Sequence, residues 1–191
     1  AGSWYSANAD ALRREVAGYI DHAVPPPEAR DAGGIVGLVV PHAGYRYSGA
    51  IAGFGYRMLQ GMDVRRVVVL GPSHQVRFGG LGLTEATHWR TPLGEYPIDT
   101  DAVKKLAGAT PFLFREDAFR REHSVDIQVP FLQVVAPRAK LVPIIVGGCD
   151  ATRLRDAGRA IRELAAEPGT IVVASSDFTH YGENYGYVPF R

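Results

Sequence analysis

Three apolar runs of this chain end in side chains that can bind a metal ion or move a proton. Each run and the polar residues behind it are, in chain order, 34–40 with His42, 67–70 with His74, and 171–174 with Asp177 and His180. Imidazoles and carboxylates are common ligands of transition metals and common general acids and bases. The three clusters therefore predict a metal site or a proton-transfer site, provided that the fold brings them together.

The apolar runs themselves indicate how the fold does so. They consist of Val, Ile, Leu and small residues and are bounded by Gly or Pro, as in strands that are buried on both faces of a parallel sheet. Open α/β sheets bind ligands beyond the carboxyl ends of their strands, so side chains that follow three such strands are expected to converge. We predict a single α/β domain with a mostly parallel central sheet flanked by helices.

The rest of the chain supplies the helices and further strands of such a fold. Helical spacing of apolar residues predicts helices over 8–22, 47–59, 100–107, 126–135 and 150–166. Further strands are predicted over 141–146, as a fourth core strand, and near 81–83 and 89–91, as short antiparallel strands. The first apolar run, the helix after it and the second run then form a right-handed βαβ unit.

Some local details of this prediction depend on single side chains. The prolines at 25–27 are expected to end the first helix. Pro143 has no N–H to donate to a neighbouring strand, so it places the fourth core strand near the edge of the sheet. The residues of the last helix that are expected to face the core are Leu154, Ala157, Ile161 and Leu164.

Composition excludes several classes of partner. The 191 residues are 46% hydrophobic, enough for a sizeable core, and the formal net charge is only +1. A nucleic-acid footprint would need clustered basic residues, and a membrane span would need about 20 consecutive apolar residues. We therefore expect no nucleic-acid partner and no membrane segment. Because 1–5 lacks a signal-peptide pattern, we expect a cytoplasmic location.

The histidines differ in what surrounds them. His22 ends an amphipathic helix and His88 lies in a polar loop, so both are expected to be structural or solvated. His42 and His74 follow apolar strands at matched positions, which favours metal ligation over the alternative of hydrogen-bonded loop residues. His123 is either a pocket residue or part of a helix N-terminus, because the next residue, a serine, has the type of an N-cap.

Two further features bear on the same edge of the sheet. Asp177 and His180 are three residues apart, and a carboxylate beside an imidazole fixes its tautomer and raises its basicity. We expect a base or an orienting pair, with the alternative that Asp177 caps a helix starting at Phe178. Cys149 follows the fourth strand and could reach the same rim, although a lone cysteine is more often a small buried hydrophobe.

Six motifs stand out along the chain, in order Ala1–Tyr5, Pro41–Gly49, Leu70–His74, Arg90–Gly94, Glu122–Gln133 and Ser175–Gly182. Together they resemble the motifs of the Memo family, which is also called AmmeMemoRadiSam system protein B in bacteria and archaea. Since they cover the whole chain, residues 1–191 are expected to form one Memo-like domain that lacks the C-terminal third of the family. The resemblance implies a fold similar to that of class III extradiol dioxygenases, which are non-haem iron enzymes.

The resemblance also implies roles for single residues. His42 and His74 match the two histidines that bind metal, with iron or copper as the ion. Asp177 and His180 match a pocket acid and a histidine that resembles the dioxygenase general base, and His123 matches a further pocket histidine. The third protein ligand of the family is a cysteine in the part that this chain is expected to lack, and Cys149 does not match it.

Two functions are compatible with these expectations. In the first, the metal-bound pocket carries out redox or oxygen-dependent chemistry on a small molecule, as a dioxygenase-like non-haem oxidoreductase. In the second, the pocket is a non-enzymatic module that accepts a peptide or phosphopeptide. The aromatic residues that suit either function are Tyr45, Tyr47, Trp89 and Tyr181. The family name further implies a functional link to a radical S-adenosylmethionine protein and an AMMECR1-like protein.

Overall fold

The structure, a computed structural model, describes residues 1–26 and 34–190. Its helices are α1 (Ala9–His22), α2 (Tyr45–Arg57), α3 (Thr100–Ala107), α4 (Glu116–Phe119), α5 (Val129–Val135) and α6 (Ala151–Ala165). Its strands are β1 (Gly37–Val40), β2 (Arg66–Pro72), β3 (Leu81–Leu83), β4 (His88–Thr91), β5 (Gly94–Pro97), β6 (Phe112–Phe114), β7 (Lys140–Val146) and β8 (Thr170–Ser175). Short 3-10 turns lie at Asp126–Gln128 and Glu183–Tyr185.

A six-stranded sheet in the order β1-β8-β2-β7-β3-β6 organises the domain. Strands β1, β8, β2 and β7 are parallel, whereas β3 runs antiparallel to β7 and pairs with β6 in parallel. Strands β4 and β5 form a separate antiparallel hairpin. The predicted α/β class, with a mostly parallel sheet flanked by helices, is therefore confirmed.

The strand order brings the three polar clusters to one edge of the sheet. Strand β8 lies between β1 and β2, so the two strands of the predicted βαβ unit are parallel but not adjacent. The register pairs Val40 with Ser175 and Leu70 with Ala174. Because these three parallel strands end side by side, the segments that follow them start from the same rim.

The helices form two packed groups, α1 with α2 and α5, and α3 with α6. Helix α1 starts where Asn8 accepts a hydrogen bond from the Ala11 N–H through Oδ1 at 2.9 Å, as an N-cap does. Helices α2 and α5 meet through Tyr56 and Phe131, whose stacked rings have centroids 4.8 Å apart. Helix α1 lies close on α2, because a Cβ on Gly53 would be 2.4 Å from the Tyr19 carbonyl oxygen.

The predicted elements recur with small shifts. Helix α3 has the predicted bounds, and α2 begins two residues early, since Gly44 occupies its N-cap position. Helix α1 ends at His22, as predicted, although Pro27 of the proline stop lies outside the described residues. Among the helices of the described chain, none combines the length and apolar character that crossing a lipid bilayer requires.

Two local predictions were wrong. Pro143 does not mark an edge strand, because β7 lies between β2 and β3. Strand β3 opposes only the end of β7, at 145–146, so Pro143 has a strand partner, Val69, on one side only and its missing N–H leaves no gap in a ladder. In α6, Leu154 is 48% exposed, whereas Ala157, Ile161 and Leu164 are buried as expected.

Candidate metal centre

His42, two residues beyond β1, is 4% exposed, and its hydrogen bonds fix the tautomer of its ring. Its Nδ1 lies 3.1 Å from the hydroxyl oxygen of Ser175, the last residue of β8. That hydroxyl has a single proton, which it donates to the Ser124 carbonyl oxygen at 2.5 Å. The hydroxyl must therefore accept from His42 Nδ1–H, which leaves Nε2 unprotonated and available to a ligand.

His74 follows β2 and is held by a buried carboxylate. Glu122 accepts hydrogen bonds from the His74 backbone N–H at 2.6 Å and from Nδ1 of its ring at 2.9 Å. Glu122 also accepts hydrogen bonds from the backbone N–H groups of His123 and Ser124, each at 2.9 Å. Since an ionised carboxylate only accepts, His74 carries its proton on Nδ1 and its Nε2 is the free nitrogen.

His123 completes a group of three imidazoles. Its ring lies flat against the Trp4 indole, with centroids 3.8 Å apart and an angle of 3° between the planes. Its Nδ1 is buried and has no hydrogen-bond partner within residues 1–26 and 34–190. A buried nitrogen without a partner is costly, and a bound cation is one way to satisfy it.

The three histidines are close enough to share one ion. Ring centroids lie 5.2 Å apart for His42 and His74, 5.7 Å for His42 and His123, and 4.6 Å for His74 and His123. One ligand nitrogen from each lies within 4.8 Å of the other two. Metal–imidazole bonds are about 2.0–2.1 Å long, so nitrogens that share one ion are at most about 4.2 Å apart, and nitrogens 4.8 Å apart would have to approach each other by at least roughly 0.6 Å.

Burial and nearby charges favour the neutral form of His42 and His123, which is the form that binds a metal ion. Burial lowers the pKa of His42, and the nearby His74 adds to this, against the opposing effect of Asp177. Burial, with His74 next, also lowers the pKa of His123. For Glu122, burial favours the protonated form, but the hydrogen bonds from His74 and Ser124 outweigh it and the pKa lies below its usual value. Neutral imidazoles backed by an ionised carboxylate are the donor set of a transition-metal site.

Asp177 and His180 lie beside this cluster after β8. Asp177 Oδ1 accepts the backbone N–H groups of His42 at 2.6 Å and Ala43 at 3.2 Å, so the carboxylate anchors the first histidine. Its Oδ2 is 3.9 Å from His42 Nε2 and 3.7 Å from His180 Nε2. Both distances are too long for hydrogen bonds, so the contacts are electrostatic. His180 itself is 57% exposed in its side chain.

The cavity that contains these residues has a volume of about 420 Å³. Its lining comprises Ser3, Trp4, His42, Ala43, Gly44, Arg46, Tyr47, His74, His123, Asp177, His180 and Tyr185. All five sequence-predicted site residues are in this set, although their separate roles as ligands or proton carriers stay predictions. Of the four aromatic residues expected near the pocket, Tyr47 lines it, whereas Tyr45 is buried in the core, Trp89 donates a hydrogen bond to Asp126, and Tyr181 is exposed and outside the lining.

The alternatives left open by the sequence are also decided by geometry. Ser124 does not cap a helix, because its hydroxyl donates to the Pro72 carbonyl oxygen. No helix begins at Phe178, so Asp177 is not an N-cap there. Cys149 is half-buried against the core and lies outside the histidine cluster. The His22 ring hydrogen-bonds to the Gly18 carbonyl oxygen within its own helix, and His22 does not line the cavity of the histidine cluster.

Sequence reasoning missed two supports of the site. Glu122 is 48 residues from His74, and no spacing signal connects them. The only sequence signal for Glu122 is that this charged residue directly precedes His123, a predicted pocket histidine. Trp4 belongs to the N-terminal segment, which reaches the site because its carbonyl oxygen accepts the Tyr45 N–H at 2.9 Å. Tyr5 fixes that segment by donating to Asp126 at 2.7 Å.

Comparison with known proteins gives a consistent result. A family model described as "Memo-like protein" matches residues 1–190. The chain is 34% identical to "Protein memo-1 homolog" of Caenorhabditis elegans, over all of this chain and 54% of that protein. It is 35% identical to a "MEMO1 family protein" of Nitrosopumilus maritimus and 38% identical to one of Thermococcus kodakarensis, with 96% and 100% of this chain covered. These matches span 68% and 67% of the two relatives, so all three relatives are longer than the matched part.

Proposed function

The chain belongs to the Memo-like protein family, and we propose that it binds one iron or copper ion at its histidine cluster and carries out redox or oxygen-dependent chemistry on a small molecule. The observation that carries the proposal is the convergence of three imidazole nitrogens within 4.8 Å of one another. Two of these rings have their Nδ1 protons committed to protein acceptors, and the third has a buried Nδ1 without a partner among the described residues. The structure thus offers two unprotonated Nε2 atoms and a third imidazole whose Nδ1 lies 3.4 Å from Glu122 Oε1 without a hydrogen bond among the described residues, a donor set that a metal ion would complete.

The donor set favours a transition metal, and the choice of iron or copper among these metals comes from the family resemblance. Imidazole suits iron, copper and zinc, whereas magnesium and calcium prefer oxygen ligands. Three imidazole donors would leave further positions of a first-row ion open to a ligand, as non-haem oxidoreductases and copper enzymes require. When bound, such an ion supplies Lewis acidity and one-electron chemistry. The proposed dioxygenase-like chemistry is supported by the resemblance of the six sequence motifs to those of the Memo family.

The residues of the chain have distinct tasks in this mechanism. His42 and His74 would hold the ion through Nε2, because Ser175 and Glu122 keep the proton on Nδ1. Asp177 fixes the His42 backbone and places a negative charge 3.7 Å from His180. His180, more than half exposed, receives the proton of a bound phenol or water at a ring nitrogen and releases it to solvent.

The test is metal analysis of purified protein. We expect about one equivalent of iron or copper in the wild type, and its loss in the double variant His42→Ala/His74→Ala. His123→Ala should lower the affinity, whereas the matched control His88→Ala should not, since His88 is exposed and lies outside the cavity. Circular dichroism establishes that each variant is folded. A double variant that keeps the wild-type metal content would refute the proposed site.

The oxidative part of the proposal needs its own assay. Oxygen uptake by the metal-loaded protein should rise on addition of catechols, and the rise should be lost in His180→Ala while the metal content is kept. The exposed His88→Ala again serves as the control. Metal binding without oxygen uptake for any catechol would leave the metal site standing and refute the dioxygenase-like chemistry.

Peptide binding is the second candidate function. The observation that favours it is a pair of exposed aromatic side chains in the cavity lining, Tyr47 and Tyr185, with exposed Phe178 and Tyr181 next in the chain to the lining residues Asp177 and His180. Titration with a tyrosine-phosphorylated peptide, with and without a chelator, separates the two cases, because a binding module keeps its affinity without metal. From the family resemblance alone we also propose a functional link to a radical S-adenosylmethionine protein and an AMMECR1-like protein, and the cytoplasmic location stays a prediction.

A further inference from the structure

We infer that Arg46 recognises a carboxylate on the ligand of this cavity, so that the site prefers an aromatic acid to the uncharged parent molecule. The inference rests on the proposed function, since it concerns the small molecule that reaches the histidines. Arg46 is the second residue of α2 and lines the cavity together with Trp4 and the three clustered histidines. It is the only arginine or lysine in that lining.

Arg46 is oriented but not neutralised. Its guanidinium carbon lies 4.8 Å from the centroid of the Tyr47 ring, a cation–π distance. Within residues 1–26 and 34–190, no carboxylate forms an ion pair with it. The arginines that do have such a pair are Arg57, Arg65, Arg66, Arg90, Arg115, Arg153 and Arg159. The ring therefore restricts the side chain while its five N–H donors stay available to an anion.

The position of Arg46 is not explained by helix stability. A cation in the first turn of a helix opposes the macrodipole, whose positive end is at the N-terminus. The first turn of α2 has no acidic residue that would compensate for it. The chain thus places positive charge at the cavity mouth against a small energetic preference, as expected when the charge serves a ligand.

The charge balance of the site points the same way. The carboxylates of the site, Asp177 and Glu122, are occupied by backbone N–H groups and imidazoles. Neither of these carboxylates forms an ion pair with Arg46, so an anionic group of the ligand is favoured beside its guanidinium, because charges in a partly enclosed cavity are poorly screened.

The aromatic half of the ligand follows from the walls of the cavity. Trp4, Tyr47 and Tyr185 contribute flat surfaces, and the volume of about 420 Å³ lies within the range of small-molecule sites, roughly 300–1,000 Å³. Trp4 already stacks on His123 and Tyr47 lies under Arg46, so an aromatic ligand would contact the edges or the remaining faces of these rings, with its metal-binding oxygens toward the histidines and its carboxylate toward Arg46. Arginine suits this contact, because its planar fork binds a carboxylate bidentately.

The experiment compares 3,4-dihydroxybenzoate with catechol by isothermal titration calorimetry on metal-loaded protein. The wild type should bind the acid about tenfold more tightly than catechol, since one charge-assisted contact of this kind is worth about one decade. In Arg46→Gln the ratio should fall to about one with catechol affinity unchanged. Arg46→Lys should give an intermediate ratio. The matched control Arg155→Gln, on the exposed face of α6, should behave as wild type.

Two outcomes overturn the inference. One is a wild type that binds both compounds equally, and the other is an Arg46→Gln variant that loses affinity for catechol as much as for the acid. Metal content, measured on each sample, separates this from the proposed function. A protein that binds metal but shows no preference for the acid refutes only the role of Arg46. A protein that binds no metal, but whose weaker binding of the acid still depends on Arg46, refutes only the metal site.

Discussion

Replacing Glu122 by glutamine tests the central support of the site. The side chain is 1% exposed and its carboxylate accepts four hydrogen bonds, three at Oε1 and one at Oε2. In Glu122→Gln the amide oxygen can keep the Oε1 bonds, but the NH₂ group then faces the backbone N–H of His74. One buried donor loses its acceptor, and the remaining bonds lose the negative charge.

The size of the effect follows from these two losses. An unsatisfied buried group costs about 1–3 kcal/mol, and hydrogen bonds to a charged partner exceed neutral ones by roughly 1 kcal/mol in total here. We expect a loss of about 2–4 kcal/mol in the free energy of unfolding of metal-free protein. For a chain of this length that lowers Tm by about 4–16 °C. Metal affinity should fall about 10–100-fold, as when other supports of a ligating histidine are removed.

The assay is urea unfolding of chelator-treated protein, with metal titration in parallel. The folded pKa of Glu122 is lowered, so its charge stabilises the protein above the unfolded value of about 4.3 and this contribution is lost as pH falls through the folded pKa. The difference between variant and wild type should therefore shrink in acid. The exposed control Glu163→Gln should change stability by less than about 0.5 kcal/mol. An unchanged Tm and an unchanged metal affinity in Glu122→Gln would refute the reasoning.

Three more predictions concern other parts of the chain. Burial lowers the pKa of His42 and of His123 below the unfolded value of about 6.5, so near that pH the unfolded chain binds protons that the native chain does not. The free energy of unfolding should therefore rise as pH rises through the folded pKa values and past about 6.5, and less steeply in His42→Gln/His123→Gln. Gly53→Ala should cost roughly 1–3 kcal/mol in a thermal melt because its Cβ meets the backbone of α1, whereas Gly158→Ala, with open space around it, should stabilise by roughly 0.5–1 kcal/mol. Ser175→Ala removes the acceptor of the first ring and should weaken metal binding about 10–100-fold in a competition titration; unchanged affinity would show that this tautomer contact is dispensable.

The strands and most helices were predictable because their signals are local. Continuous apolar runs indicated β1, β2, β7 and β8, and helical periodicity gave α3 at its observed bounds. The predictions failed where the position of a neighbouring element determines strand pairing or burial. Pro143 was assigned to an edge because its own chemistry says nothing of how far β3 extends, and Leu154 was assigned to the core because periodicity does not show where α6 leaves its partner.

The sequence by itself determined which side chains could take part in chemistry and that they would follow the strands of a parallel sheet. Both conclusions depend only on residue type and on continuous apolar runs, which are local features of a sequence. The sequence placed His42, His74 and Asp177 just beyond strand ends. Only the tertiary structure decided that β8 lies between β1 and β2, that Glu122 supports His74 from 48 residues away, and that His123 closes the group against Trp4. These contacts join segments far apart in the chain, and their energy depends on strand order and burial, which no local pattern encodes.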